Sequence, residues 1–209
     1  MQDKLAIIGY SGHAFVLIEA AILNGYDLAG YCDKIESENN YFQLPYLGDE
    51  NSMDFDWTTN YNYIIGIGDN SIRKKIVNRI HEKGTKFINV IHPKTDISSS
   101  IKMGTGNFIN AGVVINALAS LGNHCIINTG AIIEHECKIG DFVHIAPGAV
   151  LAGNVTIGDS TFIGANAVIK QGVKIGNNAI VGAGSVVIND IADGLTVVGN
   201  PSKTINKNG

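Results

Sequence analysis

The chain has 209 residues, a hydrophobic content of 45% and a formal net charge of −4. Without an excess of positive charge, these values argue against binding of nucleic acid through a basic surface. No apolar run approaches the length of about 18 residues that a membrane span requires. The N-terminus also lacks the charged-then-apolar layout of a signal peptide. We therefore expect a cytoplasmic protein with room for two small domains.

The first 93 residues alternate between strand and helix patterns, which predicts a small α/β domain with a parallel sheet. Strands are predicted over 4–10, 28–32, 63–67 and 87–91, and helices over 14–24 and 72–83. The second helix has a basic face, formed by Arg73, Lys74, Lys75 and Arg79. Residues 35–60 are polar and aromatic-rich, and their pattern does not divide into clear elements.

Three loops follow the predicted strands, at residues 9–13, 33–34 and 68–70. Ligands of open parallel sheets bind beyond the carboxyl ends of the strands, so these loops are candidate binding segments. The first loop, Gly-Tyr-Ser-Gly-His, lacks the three glycines of a dinucleotide fingerprint. It is either a plain tight turn or a phosphate cradle at a helix N-terminus.

Residues 97–186 repeat with a period of six and without insertion. A large aliphatic residue or Met recurs at Ile97, Met103, Ile109, Ile115, Leu121, Ile127, Ile133, Ile139, Ile145, Leu151, Ile157, Ile163, Ile169, Ile175 and Val181. Four residues after most of these comes a small or β-branched residue, with Asn107 as the plainly polar exception. A hexapeptide period of this kind is typical of a β-helix.

The period predicts a triangular coil of three short strands and eighteen residues. Gly and Asn between the strands suit the positive φ values of tight corners. The repeat then gives five coils, or roughly 24 Å of stacked strands. Cys125 and Cys137 occupy the small inward position, and the spacing of these two and Cys32 fits neither a disulfide framework nor a zinc site. We expect structural cysteines and no metal.

The repeat resembles the hexapeptide acyltransferases, whose fold is a left-handed parallel β-helix. The resemblance implies an α/β domain over 1–93 and a β-helix domain with a C-terminal tail over 94–209. It also implies a homotrimer that binds acetyl-CoA between adjacent prisms. The segment Val198-Gly199-Asn200-Pro201-Ser202-Lys203 is similar to the closing motif of that family, with Ser202 where Ala is usual.

His135 lies between Glu134 and Glu136, at a polar position near a predicted corner. A histidine there projects outward and is often idle. A neighbouring carboxylate, however, fixes the tautomer of an imidazole that acts as a general base. We expect His124 and His144 on neighbouring coils of one face and His135 on the next face, so the three histidines of one chain do not obviously converge. Adjacent subunits of a trimer offer a way to bring such groups together.

Several segments are similar to the sugar-nucleotide acetyltransferases, and the pattern most resembles the bacterial UDP-4-amino-sugar N-acetyltransferases of bacillosamine synthesis. These segments include Ser11-Gly12-His13, Gly68-Asp69-Asn70, Ile127-Asn128-Thr129, Ile133-Glu134-His135-Glu136 and Ala152-Gly153-Asn154. Sialic acid O-acetyltransferases and perosamine N-acetyltransferases share much of this layout. The resemblance covers essentially the whole chain.

When the family's residue roles are transferred to the matching positions, the resemblance implies that His135 is the general base and that Glu136 orients it. It implies contact with acetyl-CoA, the co-substrate, at His144, Ala165 and Ala183. The nucleotide sugar would be held by Ser11, Gly12, His13, Asp33, Lys34, Gly68 and Asn128. The family often has two acids where this chain has Asp33-Lys34, which leaves the role of Lys34 open.

The expected reaction is direct acetyl transfer from acetyl-CoA to the C4 amine of a UDP-amino sugar, with no covalent acyl carrier. O-acetylation of a sialic acid or related sugar is a second hypothesis. A metal-dependent hydratase of the γ-carbonic anhydrase type and a non-catalytic nucleotide-sugar binding module are the third and fourth. The sequence alone does not separate UDP from GDP or CMP acceptors.

Overall fold

The structure is a computed structural model that describes residues 4–57, 61–81 and 83–205. The N-terminal part contains a five-stranded parallel sheet with the strand order β3-β2-β1-β4-β5. Its strands are β1 (Leu5–Ile8), β2 (Leu28–Cys32), β3 (Tyr46–Gly48), β4 (Asn62–Ile65) and β5 (Lys86–Phe87). Helix α1 (Gly12–Leu23) follows β1, and helix α2 (Asn70–His81) follows β4. Strand β3 lies in the stretch that the sequence did not divide.

Both faces of this sheet are buried, which explains why β1 reads as a continuous apolar run. Leu5 and Ile7 pack with α1, whereas Ala6 and Ile8 pack with the side chains of α2. From β1 the chain builds the sheet outwards on one side through β2 and β3, and then returns to add β4 and β5 on the other side of β1. That reversal is the place where open parallel sheets form a ligand crevice.

The single strand predicted over 87–91 is wrong, because the chain changes sheets within it. Lys86–Phe87 pairs with β4, whereas β6 (Val90–Ile91) pairs with Phe108–Ile109 of the repeat. Between them, the Asn89 side chain donates to the Gly104 carbonyl and accepts from the Asn107 amide. These two hydrogen bonds satisfy backbone groups where one ladder ends and the other begins.

The repeat forms a parallel β-solenoid with three faces, and each strand up to β19 pairs with the strand three later in the chain, whereas β21 pairs with β23. Face 1 contains β6, β9 (Phe108–Ile109), β12 (Ile126–Ile127), β15 (His144–Ile145), β18 (Phe162–Ile163), β21 (Ile180–Val181), β23 (Thr196–Val198) and β24 (Lys203–Ile205). Face 2 contains β7 (Asp96–Ile97), β10 (Val114–Ile115), β13 (Ile132–Ile133), β16 (Val150–Leu151), β19 (Val168–Ile169) and β22 (Val186–Val187). Face 3 contains β8 (Lys102–Met103), β11 (Ser120–Leu121), β14 (Lys138–Ile139), β17 (Thr156–Ile157) and β20 (Lys174–Ile175).

The solenoid is longer than the five predicted coils, because β6 precedes the repeat and β22 to β24 follow it. After the repeat, Val187 belongs to β22 and Ile191 forms a bridge to Ile175. The closing motif then turns the chain at a cis peptide bond between Asn200 and Pro201. Beyond that turn, β24 runs antiparallel to β23.

The repeat's large and small positions both point into the solenoid, as predicted. Cys125 and Cys137 are fully buried, and their thiols donate to the carbonyls of Gly140 and Ala152. Burial raises the pKa of the Cys125 thiol to about 12. The polar exception, Asn107, is also fully buried, and its side chain accepts from the Cys125 amide and donates to the Gly122 carbonyl. These side chains therefore satisfy backbone groups inside the coil.

The N-terminal part packs on the first strands of face 1. Leu17 and Ile18 of α1 share one buried cluster with Val90, Phe108 and Ile126 of the solenoid. The outward side chains of β18 and β21 are less covered, and Ile180 is 41% exposed. A cleft therefore remains between the N-terminal part and the later strands of face 1. Neither of the described helices has the length and the apolar composition that a membrane span requires.

Candidate active site

The largest described cleft lies between the start of α2 and face 1, with a volume of about 710 Å³. The helix side is polar and basic, with Asn70, Lys74 and Lys75. The solenoid side is formed by the outward residues of β15, β18 and β21, which are His144, Phe162 and Ile180. A cleft with one apolar wall and one cationic wall suits a ligand that carries both an apolar arm and phosphate groups.

His144 lies where this cleft meets the N-terminal sheet, and several of the predicted binding residues surround it. Its Nδ1 is 3.2 Å from the carbonyl oxygen of Gly68, and its Nε2 is 3.4 Å from Nδ2 of Asn128. The ring of His13 lies 6.2 Å from the His144 ring and packs edge-on against Phe108. The fold thus brings His13, Gly68, Asn128 and His144 together.

The buried histidines of this region are neutral at physiological pH. Burial is the main cause that lowers the pKa of His144 to about 4, and the nearby Arg73 guanidinium acts in the same direction. The pKa of His13 is also lowered to about 4, by burial and then by His144 and Arg73. Nε2 of His13 is buried without a hydrogen-bond partner among the described residues. A bound ligand is one way to satisfy such an atom.

A second cavity, of about 200 Å³, lies at the carboxyl ends of β1, β2 and β4. It contains the predicted residues Asp33 and Lys34, and Lys75 borders both this cavity and the large cleft. The Asp33 carboxylate accepts hydrogen bonds from the backbone amides of Tyr10 and Lys34, at 2.9 and 2.7 Å. Asp33 therefore fixes the shape of the first loop, in addition to any contact with a ligand.

Ser11 and Gly12 are exposed at the start of α1. The Ser11 side chain makes no capping hydrogen bond to the helix. A Cβ placed on Gly12 would meet no atom within 4 Å, so the space beside it is open. The loop thus exposes polar groups beside the crevice between β1 and β4.

His135 and Glu136 lie elsewhere, at the corner between faces 2 and 3. This corner is opposite face 1, on which the N-terminal part packs. Nδ1 of His135 is 3.1 Å from Oε2 of Glu136, and both side chains are about half exposed, at 52% and 57%. A Cβ on Gly153, one coil later, would lie 2.5 Å from Cε1 and Nε2 of His135. The imidazole therefore packs over a glycine and keeps one edge in solvent.

Ala165 and Ala183 lie at the corner between faces 1 and 2, one directly above the other. The carbonyl of Ala165 accepts the Gly184 amide at 2.8 Å. The same corner contains Asn128 in an earlier coil. Within one chain, the three predicted acetyl-CoA contacts are thus spread along face 1 and this corner, away from His135.

Two residues of this region were not predicted as site residues. Arg73 was placed on the basic face of α2, but it is only 1% exposed, which corrects that prediction. Its spacing from the buried Ile76, Val77 and Ile80 is the signal that it shares their face. Glu50 is 7% exposed in the second cavity, lies 3.4 Å from Arg79, and burial raises its pKa.

The histidines do not form a metal centre in the structure. The ring of His124 stacks on Phe142 and meets Phe87 edge-on, while His135 and His144 lie at other positions of the coil. Within the described ranges, no group of three or more His, Cys, Asp or Glu side chains is placed to hold a metal ion.

The fold and its clefts define a hexapeptide-repeat transferase with an α/β domain in front of the repeat. Residues 4–80 match the family model of the PglD N-terminal domain. Residues 119–153 and 154–189 match the bacterial transferase hexapeptide model, whose solenoid is the left-handed parallel β-helix.

Solved structures resemble the whole chain. A histidine variant of perosamine N-acetyltransferase from Caulobacter crescentus, in complex with CoA and GDP-perosamine, is 34% identical, with 99% of each chain covered and a TM-score of 0.93. The acetyltransferase domain of PglB from Neisseria gonorrhoeae is 34% identical, with 98% of this chain and 100% of that chain covered and a TM-score of 0.90. WeeI from Acinetobacter baumannii is 27% identical, with the same coverage and a TM-score of 0.87. The protein belongs to the hexapeptide-repeat sugar N-acetyltransferases with a PglD-type N-terminal domain.

Proposed function

We propose that the protein transfers the acetyl group of acetyl-CoA to the 4-amino group of a UDP-4-amino-4,6-dideoxy sugar, with His135 as general base. The observation that carries this proposal is the exposed His135–Glu136 pair, at 3.1 Å, in a chain similar over its whole length to sugar N-acetyltransferases. A carboxylate at Nδ1 keeps a proton there and leaves Nε2 free to accept another. That arrangement suits removal of a proton from an attacking amine.

In the proposed reaction, the amine nitrogen forms a bond to the thioester carbonyl carbon while His135 accepts a proton from that nitrogen. The C–S bond then breaks, the product amide forms, and the thiolate of CoA leaves and takes up a proton. Asn128 is the proposed donor to the developing oxyanion, since its amide nitrogen lies beside His144. Binding both substrates together supplies much of the rate through proximity.

In the proposed function, the two parts of the chain bind different substrates. Residues 1–93 bind the nucleotide sugar through Ser11, Gly12 and His13, with Asp33, Lys34 and Gly68 at the neighbouring strand ends. Residues 94–209 bind acetyl-CoA along His144, Ala165 and Ala183. The basic residues Lys74 and Lys75 border the cleft between the two sets and suit the phosphate groups of either substrate.

The proposed active unit is a homotrimer, because within one chain the proposed base, His135, lies far from the loops that are proposed to bind the acceptor. The N-terminal part packs on face 1, and His135 lies at the opposite corner of the same prism. A neighbouring copy that presents its corner between faces 2 and 3 to this face 1 would bring the two together. A closed ring of three prisms repeats that contact three times.

A GDP-4-amino sugar is the second candidate acceptor. The observation that favours it is the relative from Caulobacter crescentus, whose structure contains GDP-perosamine at 34% identity to this chain. The second cavity contains a buried carboxylate, Glu50, beside Arg79. Nucleobases differ in the hydrogen-bond donors and acceptors on their edges, so this pair is where a choice between bases is expected.

A panel of acceptors tests the proposal. UDP-, GDP- and CMP-linked amino sugars, each with its hydroxyl analogue, are incubated with acetyl-CoA, and the release of free thiol is measured. We expect release with a 4-amino sugar and at most slow release with its 4-hydroxyl analogue. Faster release with the hydroxyl sugar would favour the O-acetyltransferase hypothesis. Acetyl-CoA binding without release on any acceptor would contradict the proposed reaction.

A further inference from the structure

Arg73 is a buried cation on the face of α2 that packs into the molecule. Its side chain is among the largest fully buried side chains, at 1% exposure. Burial lowers its pKa to about 10, so it keeps its charge at neutral pH. Among the residues that the structure describes, its hydrogen bonds go to uncharged oxygen atoms, those of His124, Ile67, Gly68, Asn70 and Phe142. A buried cation held only by neutral acceptors has a high desolvation cost, which suggests a role beyond stability.

The guanidinium joins the loop after β4 to the solenoid. Nη1 donates to the carbonyls of Ile67 and Gly68, both at 3.1 Å. Nε and Nη2 donate to the carbonyls of His124 and Phe142, at 2.8 and 3.0 Å. The guanidinium therefore ties the Gly68 carbonyl directly to the solenoid, and the Asn70 side chain adds a second link, from its Nδ2 to the carbonyls of Ser160 and Thr161.

The Gly68 carbonyl also determines which nitrogen of His144 is protonated. Nδ1 of His144 lies 3.2 Å from that oxygen, and a carbonyl oxygen can only accept. Nδ1 is thus the protonated nitrogen. Because His144 is neutral, with its pKa lowered to about 4, Nε2 carries a lone pair and no proton.

The contacts on the opposite side of the ring agree with this tautomer. Nδ2 of Asn128 lies 3.4 Å from Nε2 of His144. The orientation of the Asn128 amide is fixed independently, because its Oδ1 accepts from the Thr129 amide at 2.8 Å and from Nδ2 of Asn110 at 3.1 Å. Asn128 therefore presents its NH₂ group to Nε2, which must act as the acceptor.

We propose that Arg73 is a positioning residue that holds the Gly68 carbonyl so that His144 presents Nε2, as an acceptor, to an N–H donor of the bound acetyl-CoA. The inference rests on the proposed function for the identity of that ligand. The 3.4 Å contact with Asn128 is long, so a ligand N–H can take its place. His144 borders the large cleft together with Gly68 and Phe162, where the acyl arm of the donor would lie.

The wild-type protein provides the first test, which needs no acetyltransferase activity. Long-range ¹H–¹⁵N spectra of the ¹⁵N-histidine-labelled protein at pH 7 report the tautomer of each imidazole, with His144→Asn used to assign the signals. We expect His144 in the neutral form protonated at Nδ1. A neutral form protonated at Nε2, or a charged imidazolium, would overturn the proposal even if the enzyme proves active.

The second test compares Arg73→Lys with Val77→Ala, a destabilising change on the same face of α2 that does not border the large cleft. Arg73→Lys should give a mixture of His144 tautomers and weaken acetyl-CoA binding in calorimetry roughly five- to tenfold, about the worth of one hydrogen bond. Val77→Ala should lower the melting temperature without either effect. If Arg73→Lys behaves like Val77→Ala, Arg73 is only structural and the proposal fails.

A milder variant covers the case in which Arg73→Lys does not fold. Asn70→Ala leaves Arg73 in place but removes one acceptor of the guanidinium, at 2.7 Å, together with the two hydrogen bonds from Asn70 Nδ2 to the carbonyls of Ser160 and Thr161. It should shift the His144 tautomer and the acetyl-CoA affinity in the same direction by a smaller factor, and an unchanged tautomer and affinity would overturn the proposal. Wild-type protein that fails to bind acetyl-CoA would contradict the proposed function, whereas the tautomer measurement would still test the role of Arg73.

Discussion

Glu136 reaches Nδ1 of His135, at 3.1 Å, from a backbone position with a φ of 60°. Residues other than glycine, asparagine and aspartate rarely adopt this left-handed conformation, which costs about 1 kcal/mol or more. Leu118, one coil earlier at the same corner, has a φ of 63° and is 64% exposed. The two residues therefore share a backbone geometry, but only Glu136 has a side chain that contacts a histidine ring, which makes Leu118 a suitable control position.

Replacing Glu136 with Gly should raise stability and lower turnover. Gly adopts a positive φ without the steric cost that Glu has there. Loss of the carboxylate removes the group that holds the proton on Nδ1 of His135. We expect a higher melting temperature and a kcat reduced by about tenfold or more. Leu118→Gly should raise the melting temperature similarly and leave kcat unchanged when both variants are compared at a protein concentration at which they sediment as trimers. Equal kcat values for the two variants would indicate that Glu136 has no role in the reaction.

Replacing His135 with Ala should lower kcat by roughly 10²–10⁴-fold, the usual contribution of general-base catalysis. Acetyl-CoA affinity should change little, because the imidazole acts on the acceptor amine. Steady-state kinetics and calorimetry measure the two quantities separately. A variant with near-normal kcat would remove His135 from the mechanism, and His144 and His13 would then be examined as the base.

Replacing Gly153 with Ala tests whether the His135 ring must keep its place. The added methyl group would lie 2.5 Å from the ring, so the imidazole must move. We expect kcat to fall by about tenfold or more while the melting temperature changes little, because the ring can shift towards solvent. Circular dichroism melting and kinetics measure both effects. Unchanged turnover would show that the site tolerates another ring position.

Mixing two inactive variants tests whether the site forms between chains. His135→Ala removes the proposed base, and His13→Ala alters the proposed acceptor site. If each site combines these residues from neighbouring chains, randomly mixed trimers should recover roughly a quarter of the wild-type activity. In an equal mixture, about half of the chains have His135 and about half have His13, so about a quarter of the sites have both. Each variant alone should stay inactive. Mixed trimers without recovered activity, with exchange of chains verified by mass spectrometry, would contradict a site shared between chains.

Stability should fall as the pH is lowered through the range from about 6.5 to about 4. The pKa values of His13, His124 and His144 are lowered to about 4, mainly by burial, from a normal value of 6.5. In this range the unfolded chain binds more protons than the native state, so the free energy of unfolding decreases with falling pH. Glu50, whose pKa is raised, acts in the opposite direction.

Chemical denaturation at several pH values measures this slope. His124→Asn is a useful variant, because His124 has a φ of 55° and asparagine tolerates that conformation. Its unfolding free energy should depend less on pH between 6.5 and 4 than that of the wild type. At pH 7.5 and above, these histidines are neutral in both states and should contribute no slope. A wild-type stability that rises as the pH is lowered would contradict the assignment.

The solenoid could be predicted from the amino-acid sequence, because each hexapeptide places one large and one small residue inside and contacts only its neighbours. That is why the inward positions of Cys125 and Cys137 were predictable, and why the alternation of strands and helices predicted the N-terminal sheet. The resemblance in turn selected His135 and Glu136. Their 3.1 Å contact depends on the left-handed backbone of Glu136, since adjacency in the chain alone does not distinguish Glu136 from Glu134.

The way in which the N-terminal part packs against the solenoid could not be predicted from the sequence. The change of sheet between Phe87 and Val90 depends on hydrogen bonds of Asn89 to residues fifteen and eighteen positions away. The burial of Arg73 depends on carbonyls of His124 and Phe142, which are 51 and 69 residues distant. Such contacts carry no local periodicity, so the environment of His144 and its tautomer come from the docking of the N-terminal sheet on face 1.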